Sequence, residues 1–286
     1  MDQEYIKQNS TESGKCGDGL CWYRLGTALS IEGTGSLYAP DSADWGIDQK
    51  LLQEDILQLV IGEGCDRIDV NAFWNWKGLR SITLPASFTR FGYHKNGSDN
   101  WFEGENGIDE LFYECPGLEK IEVQEGNPIY ATVNGVLFDK QMRKLLRYPQ
   151  GKGGAYTIPD GVVTIGDGAF EGCVHLSDVT IPESVTAIED GAFEGCAGLS
   201  RVALPGSIEK VSYSSFYGCF GLISVQLPAT VSEIGNVAFS GCTALVSLMV
   251  PDCVTSIGNG AFKDVPHIIY HGSAQSDDNW GALSRN

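Results

Sequence analysis

Positive charge is scarce in this chain. Nineteen lysines and arginines stand against 37 aspartates and glutamates in 286 residues, a formal net charge of −18. Such an acidic surface disfavours nucleic acid or an anionic membrane as partner, and solubility alone accounts for it. Long apolar runs are also missing, since no stretch approaches the roughly 20 residues of a membrane helix. The opening MDQEYIKQNSTESGKCG is polar and has no apolar segment of the kind a secretory signal carries. It fits a cytosolic protein, or a mature fragment behind an added start Met. Catalytic signatures are absent too. There is no G-x-S-x-G, no H-E-x-x-H and no C-x-x-C, and Gly151-Lys152-Gly153-Gly154 reads as a turn. The four histidines, His94, His175, His267 and His271, share no helical face, because the IIY between the last two reads as strand. Carboxylates are plentiful, but none form a pair in the desolvated cleft that acid–base work needs. The expectation is a chain without catalysis, cofactor or metal.

What the chain does have is one pattern written five times. Prolines stand at Pro159, Pro182, Pro205, Pro228 and Pro251, evenly spaced in a 23-residue period. Phe170, Phe193, Phe216, Phe239 and Phe262 keep the same step, as do Cys173, Cys196, Cys219 and Cys242. A fixed period of this length predicts a solenoid in which each unit stacks on its neighbours.

In the unit Val185 to Ser207, Leu199, Val202 and Leu204 form an L-x-x-V-x-L group that alternates as a short strand should. Leu176, Val179 and Ile181 fill the same inward slots one unit earlier, and Leu222, Val225 and Leu227 one unit later. The proline that follows has no N–H and ends the ladder. Val185 and Ile188 form a second inward pair. Phe193 is the large core filler beside the small Ala192. The glycine of F-x-G-C (Gly172, Gly195, Gly218, Gly241) supplies a turn of positive φ.

The pattern V-T-x-I-x-x-x-A-F-x-G-C-x-x-L-x-x-V-x-I-P resembles the BspA-like leucine-rich repeats of bacterial surface proteins. Trp22 to Gly35, W-x-x-x-x-x-x-L-x-I-x-G-T-G, is similar to the β segment that precedes those repeats. Gly126-Asn127-Pro128-x-Tyr130, Asn134-Gly135-Val136-Leu137-Phe138 and Tyr148-Pro149 resemble a further family segment, with Asn134 where the family often has Asp. The expected fold is therefore an α/β leucine-rich-repeat solenoid, β-rich, with stacked 23-residue coils forming a parallel sheet. Short turns or 3-10 segments would make the other walls, and a small N-terminal β cap would cover the first coil. The resemblance implies a secreted or cell-surface location and a role in adhesion or host interaction.

Nine cysteines suggest a disulfide or metal framework until they are placed in the repeat. Cys115, Cys173, Cys196, Cys219 and Cys242 share a column with Trp76 and Val265, which marks an apolar core slot. Stacked residues stand roughly 4.8 Å apart, wider than a disulfide prefers, so buried, inert thiols are expected there. Only Cys16 and Cys21 are close enough in sequence to suggest a local bridge.

In chain order, residues 1–15 read as a disordered tail and 16–58 as the β cap, which Trp45 and a short helix within Ile47–Leu59 complete. The solenoid spans 59–286. Its first full unit runs through Cys65, Ile68, Ala72, Phe73, Trp76 and Leu79 to Pro85. The second opens with Phe88 and Phe91, and its A-F equivalent, Leu111-Phe112, arrives well behind the period. An inserted loop, 92–110, accounts for the delay. A second insertion, a β-hairpin segment at 124–154, carries the turn signature Asn134-Gly135. In the last coil Ile268 holds phase while His271 and Ser273 replace inward apolars. A C-terminal cap, 268–286, would fold Trp280 over the open end.

A binding module should carry its ligand on outward strand positions or on an insertion. The outward slots include Lys120, Glu122, Asp178, Thr180, Arg201 and Gln226, with no aromatic ladder and no basic stripe. The loop offers Tyr93, Trp101 and Phe102 beside acids, a composition suited to a protein hot spot, a sugar platform or a weak Ca²⁺ site, although its aromatics could equally pack back onto the coils. The expected partner is a protein or glycan, with no nucleic acid and no membrane insertion. The rival reading is a passive spacer that displays another domain.

Overall fold

The computed structural model describes residues 1–17, 19–39, 45–94, 101–102, 112, 114–274 and 280–281, with backbone alone at 93–94 and 101–102. The chain is β-rich, with helices only at Gln3–Gln8 and Gln49–Glu54 among the described residues. It divides into two compact units, Met1–Lys140 and Gln141–Asn286.

The first unit begins with three antiparallel strands, Glu12–Gly17, Leu20–Leu25 and Ala28–Gly33. The third then accepts a parallel neighbour, with Ala28 opposite Gln58. Gln58 lies opposite Ser81, one full period on, and Ser81 opposite Lys120, a longer step. The excess equals the delay seen in the sequence, so the insertion is extruded and the ladder keeps its register. Part of that insertion extends a strand: Arg90–His94 turns back antiparallel on Trp101–Phe102. The helix Gln49–Glu54 lies where a short helix was expected, capped by the Asp48 carboxylate on the Lys50 and Leu51 amides.

Residues 1–15 correct the expectation of a disordered tail. The Asp2 carboxylate caps helix Gln3–Gln8 through the Tyr5 amide at 2.8 Å, and Ile6 is fully buried with Ala28 and Val60. One apolar side chain and one cap are enough to dock so short a helix, and both are easily overlooked in a polar stretch.

In the second unit the parallel pairs Thr164–Ala187, Arg201–Ser224, Lys210–Glu233 and Glu233–Ser256 each span one period. Each proline that ends a strand closes a turn with its carbonyl, accepting the amide three positions on: Val185 to Pro182, Ile208 to Pro205, Val231 to Pro228. The Phe170, Phe193, Phe216, Phe239 and Phe262 rings stand in file. Their centroids are 4.9, 5.3, 5.4 and 6.0 Å apart and their planes lie within 11° of parallel. All five are fully buried.

The wall of turns opposite the strands is hydrogen-bonded as regularly as a sheet. The amides of Gly168, Phe170 and Gly172 donate to the carbonyls of Asp190, Ala192 and Glu194, and the triad recurs from Gly191, Phe193 and Gly195 to Tyr213, Ser215 and Tyr217. Two columns of positive φ make this possible. One is the predicted F-x-G-C glycine, at φ 68° in Gly172 and Gly195, and where glycine is absent Asn75, Glu114 and Asp264 still hold 64°, 57° and 67°. The other has no signature in the sequence: Gly168, Gly191, Ser214, Val237 and Gly260, at 49–63°.

At its start this ladder is irregular, and one backbone amide and two side chains make its bonds. The Tyr148 amide donates to Ala169 O, Arg147 Nη1 to Gly168 O at 2.7 Å, and Gln150 Nε2 to Glu171 O at 3.0 Å. At its end the Phe262 amide donates to the carbonyl of Trp280, itself buried. The last coil departs from the expected phase. Ile268 pairs with Leu248, three positions short of a full period. A strict repeat would set polar His271 and Ser273 in the inward slots, and the slip buries Ile268 instead. Val225 and Leu227, expected inward, are only half-buried.

Candidate binding surface

The cysteine column occupies the core as expected, and each thiol also has a polar task. Cys196, Cys219 and Cys242 Sγ donate to the carbonyls of Phe170, Phe193 and Phe216 at 3.0, 3.1 and 3.2 Å, and Cys115 does the same to Phe73. Each carbonyl already accepts the amide three positions on in its own unit (Cys173, Cys196, Cys219 and, at Phe73, Trp76), so the thiol fills the second lone pair. Burial pushes the Cys173 and Cys242 thiols up to about 12 and holds Cys196 and Cys219 well above the ordinary value. Cys16 and Cys21 are thiols and not a bridge. Cys253, exposed, belongs to a different column. Ser184, Ser207 and Thr230 donate to the carbonyls of Val162, Val185 and Ile208, and Cys253 Sγ takes the same place on Val231 at 3.1 Å.

An open groove of about 780 Å³ crosses the second inward wall, lined by Asp167, Glu189, Asp190, Glu209, Lys210 and Ser212 among others. Its acids serve the frame. Asp167 Oδ1 accepts the Asp190 amide, Asp190 Oδ1 the Tyr213 amide and Glu189 Oε2 the Asp167 amide, each at 3.0 Å. Lys144 pairs with Glu189, and Lys210 with Glu233 at 2.8 Å. Burial, and then the Glu189 charge, raises the Asp167 carboxyl above its usual range. Among the described residues no group of His, Cys, Asp and Glu is arranged to hold a metal ion, and no helix is long and apolar enough to cross a membrane.

The outward strand positions fall in separate places. Lys120 and Glu122 belong to the first unit and pair with each other at 2.6 Å. Asp178 and Thr180 lie on Leu176–Thr180, opposite Ala155 and Thr157. Arg201 and Gln226 sit on adjacent strands, opposite Ser224 and Ala203. Thr180, Arg201, Gln226 and Lys120 are exposed, whereas Glu122 and Asp178 are half-buried. Tyr93 and Phe102 are backbone partners in register, as are His94 and Trp101. The remainder of that loop, with Asp99, Glu103, Glu105 and Asp109, lies outside the described residues.

A feature not found in the sequence stands on the third regular unit. Tyr213, Tyr217, Phe220 and Ile223 are 52%, 44%, 58% and 58% exposed, and Val246 and Met249 of the next coil are each 71% exposed. The equivalent positions one unit earlier are Asp190, Glu194, Ala197 and Ser200. Apolar side chains thus cross one coil where its neighbour is polar or small. The signal lay in the same register, in the turn columns rather than the strand columns.

Two solved structures share this fold over almost their whole length. A leucine-rich cell-surface protein from Faecalibacterium prausnitzii A2-165 is 19% identical, covering 97% of this chain and 98% of its own, with a TM-score of 0.56. The pneumococcal vaccine antigen PcpA is 16% identical, covering 94% and 89%, with a TM-score of 0.54. At these identities the likeness concerns the fold alone. No curated protein sequence matches the chain. The model of the BspA type leucine-rich repeat region matches residues 49–96 and 154–269 in six copies, more than half the sequence, and the chain belongs to that family.

Proposed function

We propose that the chain is a leucine-rich-repeat solenoid of stacked 23-residue coils that serves a secreted or cell-surface bacterial protein as a non-catalytic binding module, engaging a protein ligand in adhesion or host interaction. The observation that carries the reading is the exposed strand face, where Thr180, Arg201 and Gln226 project from parallel strands, with Val179 and Val202 buried on the inward side of the first two. Such a frame presents side chains at fixed spacing and loses little conformational freedom on binding. The neighbouring structures support the location: one is named a cell-surface protein and the other a vaccine antigen.

The test is an array of purified extracellular proteins and of glycans probed with the whole chain. Capture of a protein, lost on Arg201→Glu with Gln226→Lys, supports the module. Capture of glycans alone replaces the protein ligand by a sugar, and capture of neither leaves a spacer. The loop bearing Tyr93, Trp101 and Phe102 is a second candidate surface. Alanine at Trp101 and Phe102 should weaken capture with an unchanged melting temperature if they are anchors.

A further inference from the structure

We propose that the stripe Tyr213–Tyr217–Phe220–Ile223 is a docking surface for a cationic, apolar segment of a partner protein. The inference rests on the binding-module reading and moves the contact from the strand face to the turn wall. Three of the four side chains are aromatic, and the backbone beneath them is fixed. The Tyr213 and Tyr217 carbonyls accept the Gly191 and Gly195 amides, while the Ser214 and Gly218 amides donate to Asn236 and Ser240. Aromatic rings on a fixed backbone suit interface anchors, because only side-chain freedom remains to be lost on binding.

Charge decides the occupant. One coil before the stripe, the columns of Tyr213 and Tyr217 hold Asp190 and Glu194, and the chain as a whole carries −18. Lys210, the lysine just before Tyr213, is occupied by Glu233 at 2.8 Å, and exposed Arg201 lies on the strand face opposite Ser224. A lysine- or arginine-bearing segment gains twice here, from the carboxylates and from the ring faces of the tyrosines. A second copy of this chain would bring a further −18, and an anionic membrane is repelled likewise. A sugar is disfavoured because Phe220, Ile223, Val246 and Met249 offer it no hydrogen bond.

The experiment titrates the whole chain with a short peptide of alternating arginine and leucine and with its glutamate–leucine counterpart, by calorimetry. The arginine peptide should bind, more weakly as salt is raised, and lose about tenfold or more in affinity on Tyr217→Ser with Phe220→Ser. Both side chains are exposed, so the melting temperature should hold and certify the fold. Trp74→Ser, which removes an aromatic 52% exposed in the first unit, should leave binding unchanged. Four results overturn the proposal: no binding of the arginine peptide, equal binding of the glutamate peptide, an equal loss on Trp74→Ser, or a self-associated chain that becomes monomeric on Tyr217→Ser with Phe220→Ser. A partner captured in the array whose binding ignores the stripe variants would sink this surface and leave the module reading standing.

Discussion

In the Gln141–Asn286 unit, four consecutive ring contacts hold the phenylalanine column between 4.9 and 6.0 Å. In the Met1–Lys140 unit the same column is Phe73 and Phe112, 6.1 Å apart and 11° from parallel. The stacking survives an insertion, but the polar ledger beside it changes hands. Where the period is intact, Ser184, Ser207, Thr230 or Cys253 two positions after the proline donates to the coil before. In the coil that follows the insertion, register from Leu84 to Val123 puts Gly126 in that slot. Asn127 supplies the donor instead, reaching Phe88 O at 2.7 Å and Pro85 O at 3.2 Å while its Oδ1 accepts the Ile129 and Tyr130 amides. The comparison teaches that a regular coil satisfies its neighbour by repetition, and a broken one needs a single buried side chain with several bonds.

The sharpest way to break the regular half is Phe193→Ala. Removing one ring from a filled column should cost that unit about 4 kcal/mol in urea denaturation. In the irregular half, Asn127→Leu should cost about 3 kcal/mol, since it strands the Phe88 carbonyl and two amides in a largely buried site. If Asn127→Leu proves nearly neutral, the idea that one side chain replaces the missing hydroxyl falls. Gln150→Leu, which removes one amide donor from the partly buried Glu171 carbonyl, should cost nearer to about 1 kcal/mol.

Thiol burial gives a pH test in both halves, since Cys65 of the first unit is pushed up to about 12 just as Cys173 and Cys242 of the second are. Below the ordinary thiol range, near about 8.5, both states keep their protons and the raised Cys173 and Cys242 values change nothing. Above it the unfolded chain ionises first, so stability drains from the second unit as pH climbs from about 8.5 towards about 12. Cys173→Val with Cys242→Val should lessen that alkaline fall, with Cys196 and Cys219 keeping the remainder, and an unaltered profile would count against burial as its cause. The smallest effect is favourable. Val237 holds φ 49°, a conformation that β-branched residues resist and that Gly168, Gly191 and Gly260 occupy at the same slot. Val237→Gly should raise stability by up to about 1 kcal/mol by thermal melting.

The inward strand residues, the proline stops, the F-x-G-C glycines and the burial of the cysteine column were legible because each follows from a constant step. Identical neighbours must stack, and only apolar or thiol groups survive inside a dry column. The turn columns were harder. In the column without a motif, positive φ is taken by Ser214 and even Val237, so residue type gives no warning. The helix Gln3–Gln8 escaped notice for another reason, since its docking depends on Ile6 meeting Ala28 and Val60, residues distant in sequence.

Repetition in the amino-acid order thus determined the stack itself, the spacing of its strands and the contents of its core, because equal neighbours have one way to bury equal faces. Only the tertiary structure decided how the stack begins, how it ends and what it shows to solvent. Arg147 and Gln150 at one edge, Trp280 at the other and the slip in register that buries Ile268 all answer groups left unpaired or unburied where repetition stops. The exposed Tyr213, Tyr217 and Phe220 belong to the same class. Whether a ring in a turn column faces the core or the water depends on the path of the turn.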